Sequence, residues 1–210
     1  MNRYRITSIG ASVSLLGLGL ALAVAPAKSA APPSQTLAAT CAGPVTRSDS
    51  AASLLRRFGA NARRETLPGA EGETMPGVVL YPRDPQRRIA VVFTDERMTR
   101  VSALILDGTH SNWSVGGISL GDGIDKVTAS NGHGFALTGF EWDYGGSVID
   151  LKGGALSHLP GGCTVTIRFS PPANSTTTPE ALMGDRRLES TNPALRRLRP
   201  VVTELSLNWR

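Results

Sequence analysis

The chain has 210 residues, of which 40% are hydrophobic and 19% are charged, and its formal net charge is +5. This composition is typical of an ordinary globular domain. The arginines occur in scattered pairs rather than in one basic run, so the charge argues against a partner that is nucleic acid or an anionic membrane.

The first 29 residues are predicted to be a Sec-type signal peptide. Arg3 and Arg5 form a basic start, residues 6–25 carry no charge, and small residues follow at the expected cleavage positions. The alternative is an uncleaved membrane anchor, since about 20 uncharged residues nearly span a bilayer. Cleavage would lower the net charge to +2. We therefore expect a periplasmic or secreted protein with no stable membrane insertion after cleavage.

Two cysteines, Cys41 and Cys163, are present. An even number of cysteines in an exported chain favours a disulfide, here one that closes a long loop. Free thiols and metal binding by two lone cysteines are the alternatives. Thr40 precedes Cys41, where a lipobox has Gly, Ala or Ser, so the chain is not expected to be a lipoprotein.

A first α+β unit is predicted over residues 48–106, after an extended segment at 30–47 that is rich in Ala, Pro, Ser and Thr. Ser48 to Ser50 should cap a short helix, and Gly59 should end it. The other predicted elements of this unit are the helix at 51–58, a loop at 66–77, and strands at 78–81, 88–94 and 101–106.

A second unit with a similar order is predicted over residues 107–170. Asp122 should cap its helix and Gly132 should follow the helix end. Its predicted elements are a helix at 123–130 and strands at 135–144, 147–151 and 163–169. Because Asp49 and Asp122, and likewise Gly59 and Gly132, are 73 positions apart, we interpret the two units as a degenerate internal duplication.

The C-terminal part is predicted to return to the sheet. Residues 171–200 form a Pro-rich linker with short helices that start near Pro179 and Pro193. Residues 201–210 alternate apolar and polar side chains, which is typical of a half-buried strand. The predicted fold class is therefore α+β: two related helix-plus-antiparallel-meander units with a C-terminal returning strand.

A Gly-x-Ser-x-Gly pattern at Gly117, Ser119 and Gly121 is found in hydrolases, where the serine lies on a strand-to-helix elbow above a parallel sheet. Short glycine turns around this stretch favour antiparallel pairing instead. An apolar segment leading into a capped helix is the favoured interpretation.

The histidines, His110, His133 and His158, are far apart and lack the short spacing of locally built metal sites. Solvated loop histidines are the favoured interpretation, and no metal or cofactor is predicted.

The densest aromatic cluster of the chain lies in the predicted strand 135–144. Phe140, Trp142 and Tyr144 should lie on one face, with Glu141 and Asp143 on the other. Paired carboxylates act in glycosidases, but such pairs usually face each other from different elements. Core packing is the favoured interpretation for Phe140 and Trp142, and less so for Tyr144 beside the Gly145-Gly146 turn.

Two family resemblances follow from these stretches. Residues 117–132, and more loosely residues 48–59, resemble the helix-plus-strand repeats of the SmpA/OmlA (outer-membrane assembly lipoprotein) and β-lactamase-inhibitor-protein superfamily. That resemblance implies a non-catalytic, protein-binding scaffold. The missing lipobox and the single cysteine pair depart from its members. Residues 41–169 also resemble a family of uncharacterised exported bacterial proteins through Asn131-Gly132, Gly139-Phe140, the 142–146 stretch and the 160–163 stretch, and this second resemblance implies no activity.

The sequence thus favours an exported, non-catalytic module that binds a protein or another envelope component. The predicted binding residues are Trp142, Asp143, Tyr144, Gly145 and Gly146, because glycines permit close approach and an amphipathic ring is favoured at interfaces. The alternative is a small hydrolase that uses Ser119 or the pair of Glu141 and Asp143.

Overall fold

The computed structural model describes residues 36–69, 72–106 and 111–209. The predicted signal peptide and His110 lie outside these residues. The described chain has the predicted α+β class.

The described elements alternate short helices with antiparallel strands. The helices are α1 Ala51–Phe58, α2 Ile124–Asn131 and α3 Pro193–Leu198, and single 3-10 turns occur at Gly59–Asn61, Ala155–Ser157 and Glu180–Leu182. The strands are β1 Leu37–Ala38, β2 Ala62–Pro68, β3 Thr74–Leu80, β4 Ile89–Phe93, β5 Val101–Leu106, β6 Trp113–Val115, β7 Ile118–Ser119, β8 Ala136–Thr138, β9 Val148–Asp150, β10 Thr164–Ser170, β11 Arg187–Glu189 and β12 Val201–Asn208.

The main sheet has six antiparallel strands in the order β10-β12-β5-β4-β3-β2. The returning C-terminal strand is thus confirmed, and it lies inside the sheet, between β10 and β5. Its buried side chains Val202, Leu205 and Leu207 belong to the main core. Because β12 bonds to both neighbours, it joins the strands before residue 107 to the strand that follows the second helix.

The alternation predicted for β12 holds only for part of its length. A bulge between Arg168 and Phe169 leaves Thr203 without a directly opposed partner in β10. Val202 is therefore buried and Thr203 is exposed, although strict alternation with Leu205 and Leu207 predicts the opposite at those two positions. Leu205 and Leu207 keep the predicted inward direction because they lie beyond the bulge.

Two three-stranded sheets complete the fold. In one, β1 pairs parallel with β6, and β6 pairs antiparallel with β7. In the other, β8 lies between β11 and β9. Strand β11 falls within the predicted linker 171–200, so that linker also contributes sheet structure.

Helix α1 has the predicted limits. Ser50 accepts a hydrogen bond from the backbone of Ser53 and Ser53 in turn accepts one from the backbone of Ser50, which closes a capping box. Gly59 ends the helix with a φ of 52°, and its N–H donates to the carbonyl of Leu55. Ala51 and Leu54 are buried against the main core.

The predicted loop at 66–77 is wrong, because β2 and β3 form a long hairpin there. Pro68 and Pro76 suggested a loop, but both fit this hairpin. Pro68 ends the edge strand β2, and Pro76 precedes the part of β3 that pairs with β4. Neither proline removes a hydrogen bond from the interior of the sheet. Leu67 from this hairpin packs with Val79 in a small second core.

The predicted strand 135–144 is also wrong beyond Thr138, where β8 ends. Phe140 instead forms an isolated parallel bridge with Met183, and its N–H donates to the carbonyl of Leu182. A side chain at Gly139 would collide with the backbone of residues 182–184. The two segments can therefore lie this close only because residue 139 is a glycine. Glu141 then has a φ of 63°, which breaks the extended conformation.

The predicted cap of the second helix is wrong by one residue. Gly123 is the N-cap of α2, and the Asp122 carboxylate accepts the backbone N–H of Ser119 instead. The predicted duplication is not confirmed by the topology. Helix α1 is followed by four strands of the main sheet, whereas α2 is followed by β8 and β9 of a separate sheet.

Candidate functional site

The predicted binding residues lie in the connection between β8 and β9. We call residues 141–146 the aromatic loop. Trp142, Asp143 and Tyr144 are exposed in it, whereas Gly145 and Gly146 are buried. The structure therefore splits the predicted site into three outward side chains and a buried glycine backbone beneath them.

Trp142 and Tyr144 form an edge-to-face aromatic pair whose ring centroids are 5.6 Å apart. Trp142 is 36% exposed and Tyr144 is 62% exposed, while Phe140 before them is only 2% exposed. Core packing is thus confirmed for Phe140 and wrong for Trp142, because the strand ends before Trp142 and the side chains no longer alternate. The Trp142 indole Nε1–H donates to the carbonyl of Gly139 at 3.0 Å, which fixes the orientation of its ring.

Arg168 on β10 holds the aromatic loop from one side. Its Nε donates to the carbonyl of Gly145 at 2.8 Å, and its Nη2 donates to the carbonyl of Asp143 at 3.0 Å. Its remaining Nη1 pairs with Glu204 on β12 at 2.9 Å. A single guanidinium therefore ties the loop backbone to two strands of the main sheet.

Thr138 holds the loop from the other side, at the end of β8. Its hydroxyl donates to the carbonyl of Tyr144 at 2.6 Å and accepts the N–H of Ser147 at 3.1 Å. Phe169 on β10 also donates its N–H to the carbonyl of Gly146 at 2.9 Å. These bonds satisfy the loop backbone and keep the two rings in one arrangement.

Gly146 is needed for this arrangement on two grounds. Its φ is 76°, and a side chain there would collide with the carbonyl of Phe169. A side chain at Gly145 would lie 3.0 Å from the carbonyl of Trp142. Gly146 therefore allows close packing of the loop on β10, and Gly145 allows close packing within the loop itself, so the pair is more than a two-residue hairpin turn.

Glu141 and Asp143 do not share a strand face, because both lie in the loop rather than in a strand. The Glu141 carboxylate accepts a hydrogen bond of 2.8 Å from the hydroxyl of Thr178, which lies in the segment between β10 and β11. Asp143 uses its backbone carbonyl for Arg168 and leaves its side chain exposed. The predicted pairing of the two carboxylates is thus wrong.

Most of the large exposed hydrophobic side chains are close to the aromatic loop in sequence. Within the described ranges, four large hydrophobic side chains are exposed: Ile105, Trp142, Tyr144 and Ile149. Three of these four belong to the β8–β9 hairpin with its connecting loop. The sheet that carries the hairpin bears exposed alternating charges, in which Arg187 pairs with Asp150 and Glu189, and Glu189 pairs with Lys152.

Ser119 of the Gly-x-Ser-x-Gly pattern lies on β7, which pairs antiparallel with β6. The strand that carries Ser119 therefore has an antiparallel partner rather than the parallel neighbours of a hydrolase elbow. The Ser119 backbone N–H donates a hydrogen bond to the Asp122 carboxylate. The ring of His133 is hydrogen-bonded to the carbonyl of Gly134. The structure does not bring Ser119 together with either described histidine through a hydrogen bond.

The disulfide between Cys41 and Cys163 is confirmed, with a Cα–Cα distance of 5.5 Å. Both cysteines are buried, and the bond ties the segment before α1 to the start of β10. Disulfides form and persist in oxidising compartments.

Neither a candidate metal site nor a membrane-spanning helix occurs in the part of the chain that the structure describes. No group of three or more His, Cys, Asp and Glu side chains is placed to hold a metal ion. No helix in those parts of the chain is both long and apolar enough to cross a membrane.

Comparisons of the chain with protein-family models, with curated proteins and with solved structures returned no match. The resemblances suggested by the sequence motifs therefore stay predictions.

Sequence reasoning missed Arg168 and Thr138, although they hold the aromatic loop in place. Both have polar side chains in strands with apolar alternation, and such residues usually face solvent. Their role depends on a loop that lies next to them only in three dimensions, so the sequence carries no local signal for it.

Proposed function

We propose that the protein is an exported, non-catalytic binding module that uses the aromatic loop to bind another protein or an envelope component. The observation that carries this proposal is the exposed pair of Trp142 and Tyr144 on a fixed backbone. Rigid aromatic rings with a polar end are favoured in interface hot spots. A loop that is already ordered also loses little conformational entropy on binding.

Asp143 gives the surface a charged neighbour. Its exposed carboxylate lies between the two rings in sequence, and the Tyr144 hydroxyl adds a donor and acceptor. A partner that offers an apolar face with a basic or hydrogen-bonding group fits this chemistry. Exposed Ile149 on β9 extends the apolar surface available along the same hairpin.

Export is supported by the basic and then uncharged N-terminal sequence together with the buried disulfide. Mass spectrometry of the protein from the cell envelope or medium should find an N-terminus between Lys28 and Pro32. An intact Met1 in the envelope fraction would contradict cleavage.

The binding proposal is tested by crosslinking and pull-down from the native envelope with the mature protein as bait. Tyr144→Ala and Trp142→Ala should each weaken capture of the partner at least tenfold, as expected for hot-spot residues. Ile105→Thr is the matched control, because Ile105 is also an exposed hydrophobic residue but lies on β5. Equal capture by the wild type and Tyr144→Ala would refute the role of the loop.

The non-catalytic part of the proposal has its own test. Ser119 lies on an antiparallel strand, so we expect no labelling of the folded protein by a fluorophosphonate probe. Labelling that disappears in Ser119→Ala would instead establish a serine nucleophile.

A further inference from the structure

A second surface, separate from the aromatic loop, is a cavity of about 500 Å³ beside the disulfide. Its walls include Cys41, Gly161, Arg47, Arg100 and Trp209. Gly161 precedes β10 and Trp209 follows β12, whereas the aromatic loop contacts the far end of β10 at Phe169. The six residues of β10 from Thr164 to Phe169 place the two surfaces roughly 20 Å apart.

Two arginines from different parts of the chain meet at this cavity. The backbone N–H of Val101 donates to the carbonyl of Arg47 at 3.1 Å, so the segment before α1 lies next to the start of β5, where Arg100 stands. Both side chains are exposed, and in the described part of the chain neither forms an ion pair. Two like charges at one cavity repel each other unless an anion lies between them.

The acid closest to Arg47 in sequence does not neutralise it. Asp49 is buried, and its carboxylate accepts hydrogen bonds from both terminal nitrogens of Arg57, each at 3.0 Å. Thr46 and Ser48, on either side of Arg47, also line the cavity, but their hydroxyls are already engaged. The Thr46 hydroxyl donates to the Asp49 carboxylate at 3.2 Å and lies 3.1 Å from the Ser48 hydroxyl. The donors that remain for an anion at this cavity are therefore the two guanidiniums.

Trp209 lines the same cavity. The residue is 8% exposed, and its indole N–H makes no hydrogen bond with any described residue. Because no described buried side-chain nitrogen or oxygen lacks a partner, this N–H must be open to solvent. Trp209 thus contributes an aromatic part of the cavity wall.

The remaining wall is rigid. Gly161 has a φ of 97°, and a side chain there would lie 2.7 Å from the Cβ of Cys41. The neighbouring disulfide and the backbone bond from Trp209 to the carbonyl of Ser102 fix the two sides of the cavity. The backbone on these two sides of the cavity is therefore fixed, while the Arg47 and Arg100 side chains are exposed.

We propose that this cavity is a binding site for a small oxyanion, either a carboxylate or a phosphate, with Arg47 and Arg100 as its charged ligands. Guanidinium groups match the planar, bidentate geometry of these anions. The volume exceeds that of a bare oxyanion, so the bound molecule has room for an attached ring beside Trp209. This site is independent of the partner surface proposed for the aromatic loop.

The experiment uses inorganic phosphate, benzoate and phenyl phosphate as probes of the mature protein at low ionic strength. Calorimetry should show one-to-one binding of at least one probe, and NMR should show saturable shifts of the Trp209 indole N–H and the Gly161 amide. The charge-matched variants are Arg47→Gln/Arg100→Gln and the control Arg56→Gln/Arg97→Gln, whose side chains are exposed and do not line the cavity.

The first double variant should weaken binding about tenfold or more, because two charge-assisted contacts are lost, while the control should bind as the wild type does. Binding of phosphate alone or benzoate alone identifies which anion the site takes, and either result supports it. Absence of saturable binding by all three probes overturns the proposal. An equal loss in the control variant also overturns it, since the effect would then be general charge.

Discussion

Phe140 and Tyr144 are only four positions apart, yet one lies in the core and the other on the surface. Phe140 is 2% exposed and lies in the main core, whereas Tyr144 is 62% exposed and contacts Trp142, which is 36% exposed. The change in environment comes from Glu141, whose positive φ turns the chain out of the strand direction.

Phe140→Ala should lower the free energy of unfolding by about 3–5 kcal/mol, because the truncation leaves a cavity in the core. Tyr144→Ala should lower it by less than about 1 kcal/mol, as expected of an exposed position. Urea unfolding followed by circular dichroism measures both. If Tyr144→Ala destabilised the protein as much as Phe140→Ala, the ring would be a core element and the proposed partner surface would be lost.

Asp49 is a second residue with a disproportionate structural role. Its burial by itself raises the pKa of the carboxyl, but hydrogen bonds from Arg57, from the backbone of Thr46 and from Ser53 outweigh burial and lower the pKa below its usual value. The carboxylate thereby links the segment before α1 to both the first and the last turn of the helix.

Asp49→Asn should lower the free energy of unfolding at pH 7 by about 1–3 kcal/mol, a modest figure because Arg57 is half exposed. Since the folded-state pKa is depressed, the stabilisation by Asp49 is present above the unfolded pKa of about 3.9 and is lost as pH falls through the folded pKa. Urea unfolding from pH 7 to pH 2 should therefore show the two proteins converging below about pH 4.

The control for this series is Asp125→Asn, whose carboxylate pairs with Arg196 on the surface. It should change stability little at any pH, because exposed ion pairs are screened by solvent. A constant gap between wild type and Asp49→Asn down to pH 2 would contradict a role for the ionised carboxylate.

At the scale of elements, β10 connects the main sheet to the hairpin that carries the aromatic loop. It pairs with β12 along its length, and at Arg168 and Phe169 it also bonds to the backbone beyond β8. The bulge in this strand pair lies at the same two residues. Extra twist at a bulge can direct the edge of a strand toward a neighbouring loop.

Arg168→Ala removes three hydrogen bonds that hold the loop and β12 together. We expect amide exchange to accelerate at Gly145 to Ser147, since local opening becomes easier, while exchange in β3 and β4 stays as in the wild type. Arg187→Ala is the control, because its ion pairs are exposed and lie on β11. Unchanged exchange of the loop in Arg168→Ala would show that the glycine packing alone holds it.

At the scale of the whole molecule, long-range connections dominate the fold. The disulfide joins residues 122 positions apart, and β12 reaches from the C-terminus into the interior of the main sheet. Both connections close large loops. The disulfide persists on unfolding and restricts the unfolded chain, whereas the pairing of β12 forms only on folding and carries the entropy cost of closing its loop.

Removal of the disulfide in Cys41→Ser/Cys163→Ser should lower the free energy of unfolding by about 4–5 kcal/mol, as the chain-entropy argument gives for a loop of this size. Urea unfolding of the mature protein measures the change, and the reduced wild type should match the variant. A loss below about 1 kcal/mol would mean that the unfolded chain is already restricted in this region by other contacts.

The sequence was sufficient for features that depend on local chemistry. The capping residues and glycine stop of α1, the strand β5 and the alternating pattern around Cys163 predicted elements that the structure contains. Two cysteines in a chain with a predicted export signal were enough to predict their pairing. Each of these signals acts within a few residues, or has only one possible partner.

Tertiary structure decided everything that depended on a distant neighbour. The aromatic stretch was predicted as a continuous strand, but residues 182–186 bond to Gly139 and Phe140 and draw the chain out of β8. The prolines of the 66–77 stretch suggested a loop, yet they tolerate pairing because they lie where no hydrogen bond is lost. Arg47 and Arg100 meet only because β5 lies beside the segment before α1.

The local pattern of residues therefore determined many of the helical and extended segments, though not those at 66–77 and 135–144, and it indicated the buried cross-link. Which strands are neighbours, which aromatic rings face solvent and which arginines share a cavity were decided by long-range packing. The physical reason is that side-chain periodicity records which face of an element is apolar, but not which other element covers it.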